Sequence, residues 1–255
     1  MRILGWGAGC AVVLALLWFH PASPIAMWRG DVAMGNGRPH AAVRAYDAVG
    51  RGHPSAVVRG EALRRSALVW AVELDRPDEA RARYELLLPL LAEADSRAVS
   101  LDALGELLVE EGRYTDAAQR LREAHDLDPT AVEAGGRLVR SAQAAMMAGE
   151  LSVAEHTWKR LAQRHPVHAA RAHLGRGNLR LVRGDAVGAL ALFEQALDLS
   201  FDPAITATAQ LGIATCLARL GDLDGARRPL GAADLPLDIQ AQRESSLRAR
   251  EQLAR

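Results

Sequence analysis

The stretch EEGRYTDAAQRLREAHDLDP, residues 110–129, carries a glycine, a tyrosine, a pair of alanines and a closing proline at set distances. Gly112 stands where a first helix would end and the chain would turn sharply, often with a positive φ. Ala117 lies early in a second helix, where only a methyl group fits between two closely packed helices. Pro129 ends that helix, because proline cannot continue one. The stretch therefore predicts a helix–turn–helix hairpin.

The same spacing recurs along the chain. The alanine returns at positions 42, 80, 117, 154, 189 and 226, with separations of 38, 37, 37, 35 and 37 residues. A period of this size is typical of helical repeat arrays. Four residues after each alanine stands a large side chain on the same helix face, which we expect to fill the gap toward the next repeat. These large residues are Tyr46, Tyr84, Leu121, Trp158, Phe193 and Leu230.

With these positions the sequence resembles the tetratricopeptide repeat family, whose helix–turn–helix unit is about 34 residues long. The third copy matches the family pattern nearly throughout, whereas the first two copies match it less well, and the second has Asp75 in place of the turn glycine. The Leu-Gly pairs 174–175 and 211–212 are shifted two positions from the usual place. The positions that carry the resemblance are Gly112, Tyr114, Ala117, Ala124, Pro129, Gly149, Ala154, Trp158, Pro166, Gly184, Ala189, Phe193, Gly221 and Ala226.

The resemblance implies an all-α fold, a right-handed superhelical solenoid of about six helix–turn–helix repeats over residues 23–236. We interpret residues 237–255 as a capping helix, because the end of an array needs an outer face that tolerates water. The expected repeats lie near residues 23–56, 61–94, 98–131, 135–168, 170–203 and 207–236.

The N-terminal residues 3–19 contain no charge and no strongly polar group. A run of this length is at the lower end of what spans a membrane as a helix. The positive charge of Arg2 favours a cytoplasmic N-terminus, which would leave the repeats on the extracytoplasmic side. We therefore expect residues 1–22 to be an uncleaved transmembrane anchor. The alternative is a cleaved signal segment and a soluble periplasmic or secreted protein.

The family resemblance also implies a binding surface, because the first helices of its members line a concave groove that takes an extended peptide or a partner helix. The positions that correspond to ligand-facing ones in the third copy include Val99, Asp102, Glu106 and Glu110. Those in the next two copies include Val139, Gln143, Met146, Met147, Arg171, Leu174, Asn178 and Leu181. An acidic groove with apolar and methionine side chains suits a partner segment that carries basic and apolar residues. The alternative is a solvated acidic face with ordinary packing.

The charge pattern shows the same acidic middle. Residues 27–72 hold seven Arg and three acidic residues, a net charge of +4, whereas residues 73–133 hold seven Arg and sixteen acidic residues, a net charge of −9. The formal net charge of the whole chain is zero, so the overall balance does not indicate nucleic acid. The two cysteines have no metal-ligand spacing, and the histidines at 165, 168 and 173 are interpreted as surface or loop residues.

The sequence contains no nucleophile elbow, phosphate-binding loop or paired-histidine zinc motif. We therefore expect no enzyme activity, no cofactor, no metal and no small-molecule substrate. The expected function is that of a non-catalytic scaffold or adaptor of the bacterial cell envelope that binds another protein. The rival is a regulatory or sensor subunit, or an enzyme, that uses the array as a frame.

Overall fold

The structure is a computed structural model that describes residues 25–231. The expected anchor at 1–22 and the expected capping helix at 237–255 lie outside these residues. Within 25–231 the chain is helical and contains no β-strand. No helix in this part of the chain is both long enough and apolar enough to cross a membrane.

Twelve α-helices in the described range pair into six consecutive hairpins. A π-helical segment, Val69–Glu73, extends α3, and short 3₁₀ turns follow α4 (Leu88–Leu90) and precede α9 (Pro166–His168). The helices are α1 Ile25–Gly35, α2 Pro39–Gly52, α3 Ala56–Leu68, α4 Pro77–Leu87, α5 Ala94–Glu110, α6 Tyr114–Leu127, α7 Ala134–Met147, α8 Leu151–Arg164, α9 Ala169–Val182, α10 Ala186–Asp198, α11 Pro203–Arg219 and α12 Leu223–Gly231.

The chain divides into two compact units, one up to Thr130 and one from Ala131 onward. The first unit contains the three hairpins α1–α6, and the second contains the three hairpins α7–α12.

A backbone turn of one kind joins the two helices of most hairpins. In the third hairpin the Arg113 N–H donates to the Leu108 carbonyl at 2.8 Å, and the Gly112 N–H donates to the Val109 carbonyl at 3.0 Å. This pair of bonds needs a left-handed residue between the helices, and Gly112 supplies it with φ of 74°. The other turn glycines also have positive φ: Gly37, Gly149, Gly184 and Gly221.

The second hairpin turns differently. Its π-helical segment places one extra residue before the turn, so the Arg76 N–H donates to the Trp70 carbonyl, six residues back, at 2.9 Å. Asp75 takes the left-handed conformation here with φ of 50°, and it is the one residue other than glycine in the described chain that does so. Aspartate tolerates this region better than most side chains, so the hairpin closes without the glycine.

The repeated alanine lies at the tightest contact of each hairpin. Five of the six alanines are completely buried and Ala226 is nearly so. The large residue four positions later is also buried in the copies where it is described, Tyr46, Tyr84, Leu121, Trp158 and Phe193. The second helices therefore bury one stripe of small and large side chains, as the spacing predicted.

The large residue packs against glycines of the first helices. A Cβ atom on Gly105 would lie 2.6 Å from Leu121, and a Cβ atom on Gly177 would lie 2.8 Å from the Phe193 ring. Each glycine stands seven residues before its turn glycine, in the same hairpin as the large residue. Because these glycines have no side chain, the large residue of the second helix can pack directly against the backbone of the first helix.

The glycines of the shifted Leu-Gly pairs pack against a side chain of the preceding hairpin and not against one of their own hairpin. A Cβ atom on Gly175 would lie 2.3 Å from Trp158, and one on Gly212 would lie 2.7 Å from Phe193. Both aromatic rings belong to the preceding hairpin. Each repeat therefore packs against the next through these glycines, and the Phe193 ring lies between glycines of two successive first helices.

Two polar networks hold the first unit together. The Ser66 hydroxyl donates to Asp47 at 2.6 Å, the Arg83 guanidinium donates to the same carboxylate at 2.6 Å, and that guanidinium lies 5.3 Å from the centre of the Trp70 ring. Because the Asp47 carboxylate is nearly buried, this pairing satisfies a charge that would otherwise be costly. The bonds join the first two hairpins and fix α3 in position.

The second network starts from Tyr46, whose hydroxyl donates to Asp31 at 2.7 Å. Arg65 binds the same carboxylate at 2.5 Å and also binds Glu61 at 2.7 Å. Burial, together with the bond to Asp31, raises the pKa of Tyr46 to about 12. The network links α1 to α3 across the buried tyrosine.

The packing of Phe193 gives a mutational prediction. Gly212→Ala would normally stabilise a helix by up to about 1 kcal/mol, but here the new methyl group meets the Phe193 ring, and overpacking of this kind costs about 1–3 kcal/mol. We expect a net loss of unfolding free energy in urea titrations. The added substitution Phe193→Leu makes room for the methyl group, so the double variant should lose less than the sum of the two single changes.

The matched control is Gly136→Ala in α7 of the same unit, where the nearest atom to a new Cβ is an Arg140 nitrogen at 3.6 Å. This variant should be as stable as the original or more stable. Equal effects of Gly212→Ala and Gly136→Ala would contradict the packing described above.

Candidate functional site

The predicted groove residues of the first unit lie along one face of α5. Val99 is 61% exposed, Asp102 is half-buried, and Glu106 and Glu110 are exposed. The negative charge of Glu106 adds to the effect of burial in raising the pKa of Tyr84. This face therefore presents the apolar side chain of Val99 and, from Asp102 toward the end of α5, carboxylates.

The predicted residues of the second unit are less uniformly available. Gln143 and Met147 are exposed, and Met146 and Asn178 are half-buried. Val139 is only 5% exposed, so the expectation that it faces a ligand is wrong and its side chain belongs to the core.

Two leucines of the predicted set also contribute to packing. Leu174 and Leu181 are partly buried against the cluster formed by Ala189, Phe193 and Ile213. Their contacts are explained by the core of the second unit. Analogy with family positions therefore did not distinguish exposed side chains from those that belong to the core, and the binding role of the exposed ones stays a prediction.

A cavity of about 500 Å³ opens in the first unit beside Val99. It lies between the start of α3, the end of α4 with the following 3₁₀ turn, and the start of α5. We call it the first cleft. Its apolar lining includes Val57, Leu87, Leu91 and Val99, and Val57 is strongly exposed. A cavity of this size is in the range of ligand and side-chain binding sites.

The first cleft lies where the second repeat departs from its neighbours. Gly60 of α3 forms a close-packed part of its wall, because a Cβ atom there would lie 3.3 Å from the Leu87 side chain and 3.9 Å from Leu91. After α4 the turn Leu88–Leu90, which contains Pro89, leads into extended backbone at Leu91. The connection therefore passes along the opening without filling it.

The charged residues of the first cleft differ in how they are paired. Glu61 accepts from Arg64 at 2.8 and 2.9 Å and from Arg65 at 2.7 Å, and these bonds, that of Arg64 foremost, lower the pKa of Glu61. Glu93 and Asp95, at the start of α5, are exposed and have no side-chain hydrogen bond or ion pair within the described part of the chain. The rim therefore carries two unneutralised carboxylates.

A smaller cavity of about 280 Å³ lies in the second unit. This second cleft is formed by the start of α9, residues 199–202 and the start of α11. Phe201 and Val167 are strongly exposed at its edge. Arg171 Nη2 lies 4.0 Å from Asp202 Oδ2, and burial together with Arg171 lowers the pKa of His168. Here a cation and an anion of the same chain face each other.

In each cleft a serine hydroxyl bonds to the backbone. In the second cleft the Ser200 hydroxyl accepts from the Asp202 N–H at 3.1 Å. In the first cleft the Ser100 hydroxyl donates to the backbone carbonyl of Ser96, one helical turn earlier, at 2.9 Å. The Cys216 thiol is buried in the second unit, and burial raises its pKa. Residues 25–231 contain no group of three or more His, Cys, Asp or Glu side chains that could hold a metal ion.

Comparison with known proteins agrees with the fold. Residues 108–179 and residues 189–241 each match a family model of the tetratricopeptide repeat. These matches, with the structural likeness below, support the tetratricopeptide repeat family for this chain. The first two hairpins lie outside both matched segments, although their helices pair in the same way. No curated protein matches the sequence.

Several solved structures share the fold. The crystal structure of MamA protein is 20% identical, with 73% of this chain and 94% of that chain covered and a TM-score of 0.57. The structure of YrrB, a tetratricopeptide repeat protein with an unusual peptide-binding site, is 18% identical, with 76% and 95% covered and a TM-score of 0.54. MamA 41-end from Desulfovibrio magneticus RS-1 is 16% identical, with 73% and 96% covered and a TM-score of 0.55. At these identities the likeness concerns the fold alone.

Proposed function

We propose that this chain is a non-catalytic scaffold that holds a segment of a partner protein against the first unit. The observation that carries the proposal is the first cleft, an apolar cavity of about 500 Å³ that opens beside the exposed side chain of Val99. Exposed apolar side chains around a concavity mark binding surfaces more often than isolated ones do. YrrB, which has a similar fold, has a peptide-binding site.

The partner segment carries basic and apolar residues in this proposal. Its apolar residues would pack into the first cleft, and its basic residues would follow the acidic face of α5 that includes Glu106 and Glu110. Complementary charge speeds encounter and selects among partners more than it adds affinity. Docking as an extended peptide or as an amphipathic helix is compatible with such a face.

We further propose that residues 3–19 anchor the protein in a bacterial membrane with the repeats on the extracytoplasmic side. The support is the uncharged run itself, preceded by Arg2. A membrane tether raises the effective concentration of the repeats near a membrane partner, so a weak contact can suffice. A cleaved, soluble periplasmic adaptor is the second candidate.

Cell fractionation tests the location. Because an uncleaved anchor stays in the bilayer, the protein should sediment with membranes after a carbonate wash and keep its original N-terminus on sequencing. A soluble protein whose N-terminus begins after the apolar run would contradict the anchor and favour the cleaved form.

Site-specific photo-crosslinking tests the binding surface. A photoreactive amino acid at Val99, which lines the first cleft, should capture a discrete partner in cells that express the full chain. The control position is Leu86 on α4, which is 58% exposed against 61% for Val99 and does not line the cleft. Mass spectrometry of the adducts checks the result, and equal capture of the same proteins at both positions would contradict the proposal.

A further inference from the structure

The two clefts occupy equivalent places in their repeats. Counted from the repeat alanines at 80 and 189, Leu90 corresponds to Leu199 and Glu93 corresponds to Asp202. On the preceding first helix Val57 corresponds to Val167, once the extra residue of the π-helical segment is allowed for. Both clefts therefore combine an exposed valine, a loop leucine and an acidic residue at the start of the next first helix.

The clefts differ in the charge opposite that acidic residue. The position of Arg171 in the second cleft is Glu61 in the first. In the second cleft the Asp202 carboxylate accepts from the Ala204 N–H at 2.9 Å and lies 4.0 Å from the Arg171 guanidinium. The charge of Asp202 is therefore paired within the chain.

Glu93 in the first cleft has neither kind of contact. It makes no side-chain capping bond to α5, and no described cation pairs with it. Glu61 cannot neutralise it, because Glu61 is itself an acid. Arg64 also lines the first cleft, but its guanidinium donates to Glu61 at 2.8 and 2.9 Å. Asp95 adds a second carboxylate where the second cleft has Ala204.

The clefts also differ in space. Ser96 of the first cleft corresponds to the larger Ile205 of the second. The first cleft is accordingly the larger one, at about 500 Å³ against about 280 Å³. It has room for an added side chain at the place where the second cleft is partly filled by its own residues.

From this internal comparison we infer that the first cleft binds an arginine or lysine of the partner segment, flanked by an apolar residue. The partner's cation supplies the charge that Arg171 supplies within the second cleft, and it lies against Glu93 and Asp95. The apolar neighbour packs on Leu87 and Leu91. The inference rests on the proposed function and deepens it, because it places one basic residue of the partner in the first cleft, in addition to those that follow the acidic face of α5.

The test uses two short peptides with blocked ends, each with one central residue between leucines. In one peptide the central residue is arginine, and in the other it is citrulline, which has nearly the same shape and no charge. Binding to the full chain is measured by fluorescence anisotropy at low and high salt. We expect the arginine peptide to bind more tightly, by about threefold for each carboxylate engaged, and the preference to shrink in high salt.

The variants isolate the two carboxylates. Glu93→Gln with Asp95→Asn should bring the arginine peptide to the affinity of the citrulline peptide. The control Asp75→Asn removes one exposed carboxylate from the turn at the opposite end of the α3 segment and keeps a residue that tolerates positive φ. It should leave the preference for arginine intact.

The outcomes separate this inference from the proposed function. Equal binding of the two peptides, a preference that survives the double substitution, or no binding of the arginine peptide overturns the inference. If crosslinking at Val99 still captures a partner in that case, the scaffold function stands and only the assignment of the cation falls. If Val99 captures nothing specific, the proposed function falls with it.

Discussion

The structure depends on one steric constraint, the fit of a large side chain into space left by glycines and alanines on the facing helices. Phe193 shows it most fully, since its ring lies where Cβ atoms on Gly177 and Gly212 would be 2.7–2.8 Å away. Dense packing of this kind contributes dispersion and hydrophobic free energy only when the helices approach closely. The glycines are therefore part of the core even though they contribute no side chain to it.

The first cleft is not a failure of this packing. Gly60 in its wall is close-packed, because a Cβ atom there would lie 3.3 Å from the Leu87 side chain. The cleft instead borders the connection after α4, where the Leu88–Leu90 turn leads into extended backbone at Leu91. The polar bonds of Asp47 with Ser66 and Arg83 join α3 to the neighbouring helices.

Much of the fold could be predicted from the sequence because it depends on local requirements. A left-handed turn favours glycine, and a close helix contact requires a small side chain. Gly112 therefore predicts the turn between two helices, and Ala117 predicts the close contact that follows it. Asp75 could be aligned with the turn glycines by spacing alone, and in the structure its φ is positive, as theirs is. The extra residue of the π-helical segment could not be predicted, since nothing in the sequence of Val69–Glu73 distinguishes this segment from a regular α-helix.

The candidate site was only partly predictable, because it depends on contacts between repeats. Analogy with the family placed Val99 on the accessible face of α5 but assigned Val139, which is buried, to the same surface. The first cleft could not be predicted from the sequence, since it depends on the course of the chain after α4. The shifted Leu-Gly pairs were visible as an irregularity, yet their partners Trp158 and Phe193 belong to the preceding repeat.

The most direct test of the packing account is a nuclear Overhauser measurement on protein labelled at phenylalanine and glycine. The account predicts strong cross-peaks from the ring protons of Phe193 to the α-protons of both Gly177 and Gly212, because one ring contacts two successive first helices. Cross-peaks to only one of these glycines, or to neither, would contradict it.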